Sequence, residues 1–211
     1  MQDLSRFQHP RFARTYKRMS ERADPATAEL RGRLLAGLTG RVLEIGAGNG
    51  LNFPHYPAGV REVVAVEPDH LLRASAEQAA ARAPVPVEVV PGHAGALPDG
   101  PGSYDAVVLS LVLCSVPDQA ATLAEVRRVL VPGGELRFFE HVRSPRRVRA
   151  VLQDLITPLW RRLGGGCHPN RDTAAAIRAA GLLVEEQDRF AHRPMPGSPT
   201  LTHILGRARN P

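Results

Sequence analysis

Three glycines at alternate positions follow an apolar run and are the residues best suited to bind a ligand. Residues 42–50 read Val-Leu-Glu-Ile-Gly-Ala-Gly-Asn-Gly. Glycine adopts positive φ easily and lets a ligand approach the backbone, because it has no Cβ. The pattern E-x-G-x-G-x-G differs from the dinucleotide fingerprint G-x-G-x-x-G, and the lysine of a P-loop is missing. The segment therefore predicts a buried strand that ends in a tight loop under a ligand.

An acidic residue ends the next apolar run. Glu67 follows Glu-Val-Val-Ala-Val at 62–66 and lies one βα unit beyond the glycines. At the end of the second strand of a doubly wound sheet, a carboxylate can accept hydrogen bonds from both ribose hydroxyls of a nucleoside. Pro68 then stops the strand, and Asp69 is suited to cap the following helix. Glu67 is thus predicted to bind ribose.

The two cysteines, Cys114 and Cys167, lie far apart and have no C-x-x-C spacing. This spacing argues against a disulfide framework and against a zinc site. Two reduced thiols and no metal are therefore expected.

Alternating strands and helices must position these residues. Apolar runs without alternation, such as Ala-Val-Val-Leu at 106–109, are typical of strands covered on both faces. The predicted strands are 41–46, 62–67, 87–91, 104–112, 134–140, 182–189 and 202–208. The predicted helices are 26–37, 69–82, 118–130, 146–162 and 171–180. A short proline-rich loop joins the last two strands, which can therefore pair antiparallel.

The glycine segment resembles motif I of the class I S-adenosylmethionine-dependent methyltransferases. Tyr-Asp-Ala-Val-Val at 104–108 and the Pro-Gly-Gly turn at 132–134 match the family's fourth and fifth strands. The resemblance implies a three-layer α/β sandwich with a Rossmann-like, seven-stranded, mostly parallel sheet whose last strand is antiparallel. It also implies that S-adenosyl-L-methionine is the cofactor.

The resemblance implies a set of cofactor-binding residues. Where many members place an aspartate to accept from the adenine amino group, this chain has His93, which could accept through one ring nitrogen or leave the contact to the backbone at Ala94. Tyr16 resembles the aromatic residue that often covers the cofactor. The full set is Glu44, Gly46, Ala47, Gly48, Asn49, Gly50, Glu67, Pro68, His93, Ala94, Leu109 and Tyr16.

Three further segments resemble the methyltransferase-like 7 group and its bacterial relatives, whose characterised animal members methylate small thiols. They are Leu-Val-Leu-Cys-Ser-Val at 111–116, Glu-His-Val at 140–142, and Gly-Cys-His at 166–168. The implied function is methyl transfer to a small molecule, a thiol first. A C- or O-methyltransferase acting on a quinone or lipid-like metabolite is the alternative. A protein that senses S-adenosylmethionine without turnover also remains open, because fold does not decide function.

Two histidines are the catalytic candidates. His141 ends the fifth strand, whose carboxyl end faces the cleft, and could promote thiolate formation in an acceptor whose free pKa is about 8.5. His168 follows three glycines in a predicted loop over the site. Cys114, just after the fourth strand, is a further candidate, although buried thiols usually fill space.

The segment 148–159 carries an apolar stripe at helical spacing with arginines at both ends. The stripe either packs on the core or lines the acceptor pocket as a lid that can also rest on an anionic membrane. Pro158 is expected to kink or end this helix.

Length and charge place these features in one domain, 1–211. Residues 1–40 are expected to form a helical cap over the cofactor, and 143–170 a helical lid insertion. The net charge is +6, and no apolar stretch approaches membrane-spanning length. The Asn/Asp-Pro-Pro-aromatic signature of amino-methylating enzymes is missing, so nucleic acid is not an expected partner. We expect a cytoplasmic protein with, at most, weak peripheral membrane contact; its oligomeric state is not predicted.

Overall fold

A seven-stranded sheet forms the centre of the molecule in a computed structural model that describes residues 3–20, 25–193 and 199–211. The strand order is β3-β2-β1-β4-β5-β7-β6, and every neighbouring pair is parallel except the two that include β7. The strands are β1 (Gly40–Ile45), β2 (Val60–Val66), β3 (Val87–Val90), β4 (Tyr104–Ser110), β5 (Leu130–His141), β6 (Leu183–His192) and β7 (Leu201–Arg209).

Helices cover both faces of the sheet, which makes the predicted three layers. The α-helices are α1 (Pro10–Ser20), α2 (Pro25–Leu35), α3 (His70–Ala80), α4 (Gln119–Val129), α5 (Arg147–Leu163) and α6 (Thr173–Ala179). Leu34 and Ala76, from α2 and α3, pack into one apolar cluster. Leu123 and Ile177, from α4 and α6, pack into the other.

The central strands are apolar throughout because each of their faces meets one of these clusters. Val42 points into the α2–α3 cluster, and its neighbour Leu43 points into the α4–α6 cluster. Both side chains are completely buried. This confirms the interpretation of non-alternating apolar runs as doubly covered strands.

The last two strands form the predicted antiparallel pair, with β7 lying between β5 and β6. Their connection includes residues 194–198, so the predicted proline-rich loop falls in part outside the described residues. None of the described helices is both long and apolar enough to cross a bilayer.

The predicted boundaries lie within three residues of the observed ones, except at the start of the fifth strand. The fifth strand begins at Leu130 rather than 134, because Leu130 already pairs with Tyr104 before the register shifts at the glycines. Helix α5 continues through Pro158 to Leu163, so the expectation that this proline ends the helix was wrong, and a kink at Pro158 stays a prediction. A proline inside a helix removes one donor, and the flanking turns continue the helix here.

Strands β2 and β3 lie on one side of β1, and β4 and all later strands lie on the other. The order of the strands in the sheet therefore switches between β1 and β4, which are neighbours. The loops that follow these strands touch: a Cβ on Gly46 would lie 2.7 Å from Cγ2 of Val112. Ligands of open α/β sheets bind at this kind of switch point.

Candidate active site

The glycine loop after β1 needs the backbone freedom that the sequence provides. Gly48 has φ = +59°, and a Cβ built on it would face the Tyr16 ring at 3.5 Å. Gly50 has φ = +79°, and a Cβ there would lie 2.7 Å from Cε2 of Phe53. The loop is thus packed tightly from below at Gly50, while at Gly48 it faces the N-terminal segment.

Glu67 lies at the same edge and is bound to the glycine loop. Its Oε2 accepts a hydrogen bond from the Gly48 amide at 2.7 Å, and its Oε1 accepts one from the Asp69 amide at 2.9 Å. The side chain is buried. Burial raises the pKa of Glu67 to about 7, although the two amides act in the opposite direction. Each carboxylate oxygen keeps acceptor capacity for a further donor.

Glu44 lies beneath the loop, at 2% exposure. Its Oε1 accepts from Asn52 Nδ2 at 2.9 Å, and its Oε2 accepts from the Tyr56 hydroxyl at 2.7 Å. Burial raises the pKa of Glu44 to about 7. We interpret Glu44 as a residue that positions the glycine loop, since both of its oxygens are bound from within the protein.

The N-terminal segment lies across these loops. Tyr16 faces Gly48, and Gln8 Nε2 donates to the carbonyl of Pro68 at 2.8 Å. The side chain of Asn49 donates to Ser20 Oγ at 3.1 Å. Residues 8–20 therefore contact the loops after both β1 and β2.

His93 is on the third loop of this edge, and its ring stacks on Phe7 with centroids 5.0 Å apart. Its Nδ1 accepts a hydrogen bond from the Gly95 amide at 3.1 Å. Burial lowers the pKa of His93, which favours a neutral ring whose proton is on Nε2. Nδ1 of His93 is thus already bound within the protein, and contact of His93 or of the Ala94 backbone with the adenine amino group stays a prediction. Leu109, at the end of β4, is completely buried in the core below.

Glu140 organises the loop after β4, a role that the sequence did not indicate. Its carboxylate accepts from the backbone amides of Val112, Leu113 and Cys114 at 2.9, 2.9 and 3.1 Å. The side chain is completely buried, and burial raises the pKa of Glu140 to about 7 against the effect of these amides. Leu111, at the start of the loop, has φ = +63° and donates its amide to the Phe139 carbonyl. A left-handed leucine is a strained conformation.

The structure brings His141 together with both cysteines. Nδ1 of His141 lies 3.4 Å from Sγ of Cys167 and 3.7 Å from Sγ of Cys114. All three side chains are buried. Hydrogen bonding with Cys114 and with His141 lowers the pKa of Cys167, and contact with Cys167 together with burial raises that of Cys114. The sequence spacing concealed this cluster because its members come from three separate segments.

The loop after α5 holds Cys167 and His168 in place. The His168 amide donates to the Cys114 carbonyl at 2.7 Å and joins this loop to the loop after β4. Burial is the main cause that lowers the pKa of the His168 ring, followed by the charges of Arg171 and Arg161. Among the described residues, no group binds the buried Nδ1 of His168 or Nε2 of His141.

Helix α5 turns its polar face inward and its apolar face outward. Gln153 is buried and donates to the carbonyls of Val142 and Pro169 at 3.2 and 3.0 Å. Six large apolar side chains are 54–83% exposed, whereas Ile156 is half-buried, so most of this stripe does not pack on the core as one alternative expected. The six are Val148, Val151, Leu152, Leu155, Leu159 and Leu163.

The glycine loop, the acidic residue after β2 and the sheet order together define a class I methyltransferase fold. A protein-family model described as "Methyltransferase domain" matches residues 43–138. A SAM-dependent methyltransferase structure from Thermotoga maritima superposes with a TM-score of 0.69 at 21% identity, covering 95% of this chain and 97% of that one. The chain is an S-adenosylmethionine-dependent methyltransferase.

Two relatives define the family more closely. Thiol S-methyltransferase TMT1B of Rattus norvegicus is 35% identical over 204 residues, covering 93% of this chain and 81% of the relative. TMT1B of Homo sapiens is 38% identical over 182 residues, covering 82% and 73%. The chain belongs to the family of these thiol S-methyltransferases.

Proposed function

We propose that this protein transfers the methyl group of S-adenosylmethionine to a small thiol. The observation that carries the proposal is the identity of 35% over 93% of the chain with a thiol S-methyltransferase. The cofactor supplies an electrophilic methyl group: a thiolate forms the new C–S bond, the sulfonium C–S bond breaks to release S-adenosylhomocysteine, and the thiol proton passes to solvent.

The cofactor fits the edge formed by the glycine loop and Glu67. The carboxylate of Glu67 is fixed by two amides and keeps acceptor capacity for ribose hydroxyls. Glu44 supports the loop from below, and Tyr16 faces it from the N-terminal side. The residues assigned to this part of the site are Gly46, Ala47, Gly48, Asn49, Gly50, Glu67, Pro68, Ala94 and Tyr16.

The acceptor is assigned to the side where the loop after β4 meets His141. A free thiol is only a few per cent ionised at neutral pH, so the site must favour the thiolate. His141 and the two cysteines are the groups suited to this task there. The catalytic role of His168 stays a prediction.

Two helical segments close the site in this proposal. The cap over the cofactor is the segment 1–40, of which 1–2 and 21–24 lie outside the described residues; the contacts of Gln8 and Tyr16 with the loops after β2 and β1 support it. Residues 143–170 form the lid over the acceptor, supported by the bond between the His168 amide and Cys114. Closure of this kind excludes water from the reacting atoms.

Turnover on a panel of acceptors tests the proposal. The panel contains a short polar thiol, a lipophilic thiol and their alcohol analogues, together with a quinol. We expect release of S-adenosylhomocysteine and a thioether of the expected mass with the thiols alone. Methylation of the quinol instead would favour the C- or O-methyltransferase alternative. Cofactor binding without turnover on any acceptor would favour a sensor.

The exposed stripe of α5 supports weak peripheral contact with an anionic membrane, compatible with a cytoplasmic location. Exposed arginines flank the stripe at both ends, which complements the charge of anionic lipid. They are Arg146, Arg147, Arg149, Arg161 and Arg162. A lipid surface would also concentrate lipophilic acceptors beside the lid.

Vesicle sedimentation tests this contact. We expect binding to vesicles that contain phosphatidylglycerol, weaker binding at high salt, and little binding to pure phosphatidylcholine. Leu155→Ser should weaken binding about tenfold, since burying one leucine contributes about 1.5–3 kcal/mol. Leu183→Ser, at an exposed leucine on β6, is the matched control. A dimer in solution that Leu155→Ser dissociates would overturn the proposal.

A further inference from the structure

The cluster of Cys114, His141 and Cys167 has the composition and spacing of a metal site. One atom from each residue, two sulfurs and one ring nitrogen, lies within 4.8 Å of the other two. All three side chains are buried. Cys₂His is the ligand set of a zinc site whose fourth position stays open for a reactant.

The measured distances agree with tetrahedral coordination. Zinc lies about 2.3 Å from sulfur and about 2.0–2.1 Å from nitrogen, so a tetrahedral angle separates a sulfur from a nitrogen by about 3.5 Å. The two Sγ–Nδ1 distances, 3.4 and 3.7 Å, lie on either side of this value. Thiolate and imidazole together favour zinc over magnesium or calcium, which prefer oxygen ligands.

In the metal-free protein only one of the two sulfurs can bond to His141, and the other can bond to its neighbouring sulfur. Both sulfurs approach the same ring nitrogen of His141, and that nitrogen has a single lone pair. It can therefore accept from only one of the two thiols. A cation at the centre would use one lone pair from each of the three residues.

The surrounding residues fix the three ligands, as an outer coordination shell does. Glu140 binds the Cys114 amide, and the Cys114 carbonyl accepts from the His168 amide. These bonds set the ligand positions without any metal.

We propose that Cys114, His141 and Cys167 bind one zinc ion whose fourth position receives the acceptor thiol. The second part of this inference rests on the proposed thiol methylation. On binding, the acceptor would release its proton to water and remain as a thiolate beside the methyl donor. The thioether product has no thiolate charge and would leave the metal.

Zinc titration of the full chain tests the metal site. The metal-free, reduced protein is titrated against a chromophoric chelator. We expect one zinc per chain in the wild type. Cys114→Ser and Cys167→Ser should weaken zinc binding more than a hundredfold, because loss of an outer-shell partner alone costs about 10–100-fold. His70→Ala, at an exposed histidine on α3, should leave zinc binding unchanged. Absence of stoichiometric zinc in the folded wild type would overturn the site.

Cobalt substitution tests the fourth position separately from turnover. The cobalt protein should show thiolate-to-metal charge transfer and the intense visible bands of tetrahedral cobalt. A thiol acceptor, added without cofactor, should shift the visible bands, whereas its alcohol analogue should not. Unshifted bands would overturn the acceptor role and leave the metal site standing. Shifted bands without methylation would instead contradict the proposed reaction.

Discussion

The carboxylate of Glu67 accepts a hydrogen bond from the amide of Gly48, 2.7 Å away and 19 residues earlier in the chain. This bond joins the loops after β1 and β2, the two loops that we propose bind the cofactor. Because the Asp69 amide binds the other oxygen, the carboxylate is fixed before any ligand arrives. The Glu67 side chain therefore needs little rearrangement when the cofactor binds.

Glu67→Ala should weaken cofactor binding roughly ten- to a hundredfold. A hydrogen bond to a charged group contributes about 1.5–3 kcal/mol, and each 1.4 kcal/mol is a factor of ten in affinity. Titration calorimetry with S-adenosylmethionine measures the change. Glu88→Ala, at an exposed glutamate on β3, should bind like the wild type. Equal affinity in a folded Glu67→Ala protein would remove this residue from the site.

Cofactor affinity should also depend on pH through Glu67. Burial raises the pKa of Glu67 to about 7, so in the cofactor-free protein the Glu67 carboxyl is mostly protonated below pH 7. Ribose hydroxyls donate best to the ionised form, so binding below pH 7 must first release a proton. We expect the apparent Kd to rise about tenfold per pH unit below 7 and to level off above it. Calorimetry at several pH values checks the slope. Glu67→Gln should bind weakly with a flat profile, and a slope unchanged by that substitution would point to another group.

Glu44→Gln should change how stability depends on pH. A carboxyl whose folded pKa is raised, here from 4.5 to about 7 by burial, stabilises the fold below the lower value and loses that contribution as pH rises through the higher one. The glutamine variant lacks this loss. As pH rises from 4.5 to 7, the unfolding free energy of the variant should therefore increase relative to that of the wild type, by an amount on the order of 3 kcal/mol. Urea unfolding at pH 4.5, 6 and 8 measures the difference. A constant offset between the two proteins would contradict the assignment.

Gly50→Ala should destabilise the protein more than Gly133→Ala. Both glycines have φ near +79°, so an alanine meets the same backbone strain at each. At Gly50 the new Cβ would also lie 2.8 Å from Cβ of Ala79, whereas nothing lies within 4 Å at Gly133. Overpacking of this kind costs about 1–3 kcal/mol, which corresponds to a Tm lower by several degrees. The difference in Tm between the two variants, measured by calorimetry, gives the contribution of the steric clash at Gly50. Equal Tm values would show that the loop relaxes to remove the clash.

Glu140→Gln should destabilise the fold at pH 8, where Glu140 is ionised. The amide nitrogen of glutamine cannot accept, so at least one of the three backbone amides that now bind Glu140 would lose its partner. A buried donor without a partner costs about 1–3 kcal/mol. Urea unfolding measures the loss, with Glu29→Gln on the exposed side of α2 as the control. Similar unfolding free energies for both variants would mean that the loop finds other acceptors.

The features predicted from sequence were local or periodic. The glycine spacing and the distance to Glu67 reflect the length of one βα unit, and the apolar runs reflect burial on both faces. Periodicity also grouped the apolar residues of α5 correctly. It could not tell which way that face points, because the buried anchor of the helix is a polar residue, Gln153, bound to two backbone carbonyls.

The cluster around His141 was beyond prediction for a different reason. Cys114 and Cys167 are separated by strand β5 and helix α5 in sequence, and only the tertiary fold brings their sulfurs to one ring nitrogen. In the sequence, Glu140 stands out only as the neighbour of His141. Its bonds to three amides depend on the course of a loop that begins with a left-handed leucine, and residue propensities disfavour that conformation.

The position of β7 between β5 and β6 has a consequence for synthesis on the ribosome. Strand β5 emerges first, then β6, and only afterwards the strand that must lie between them. Until β7 is made, the outer edge of β5 has unpaired backbone groups beside Phe138 and Phe139, the kind of edge that recruits strands from other chains. Nascent chains stalled before residue 201 should therefore depend on chaperones, whereas the glycine-loop half of the sheet can already have formed.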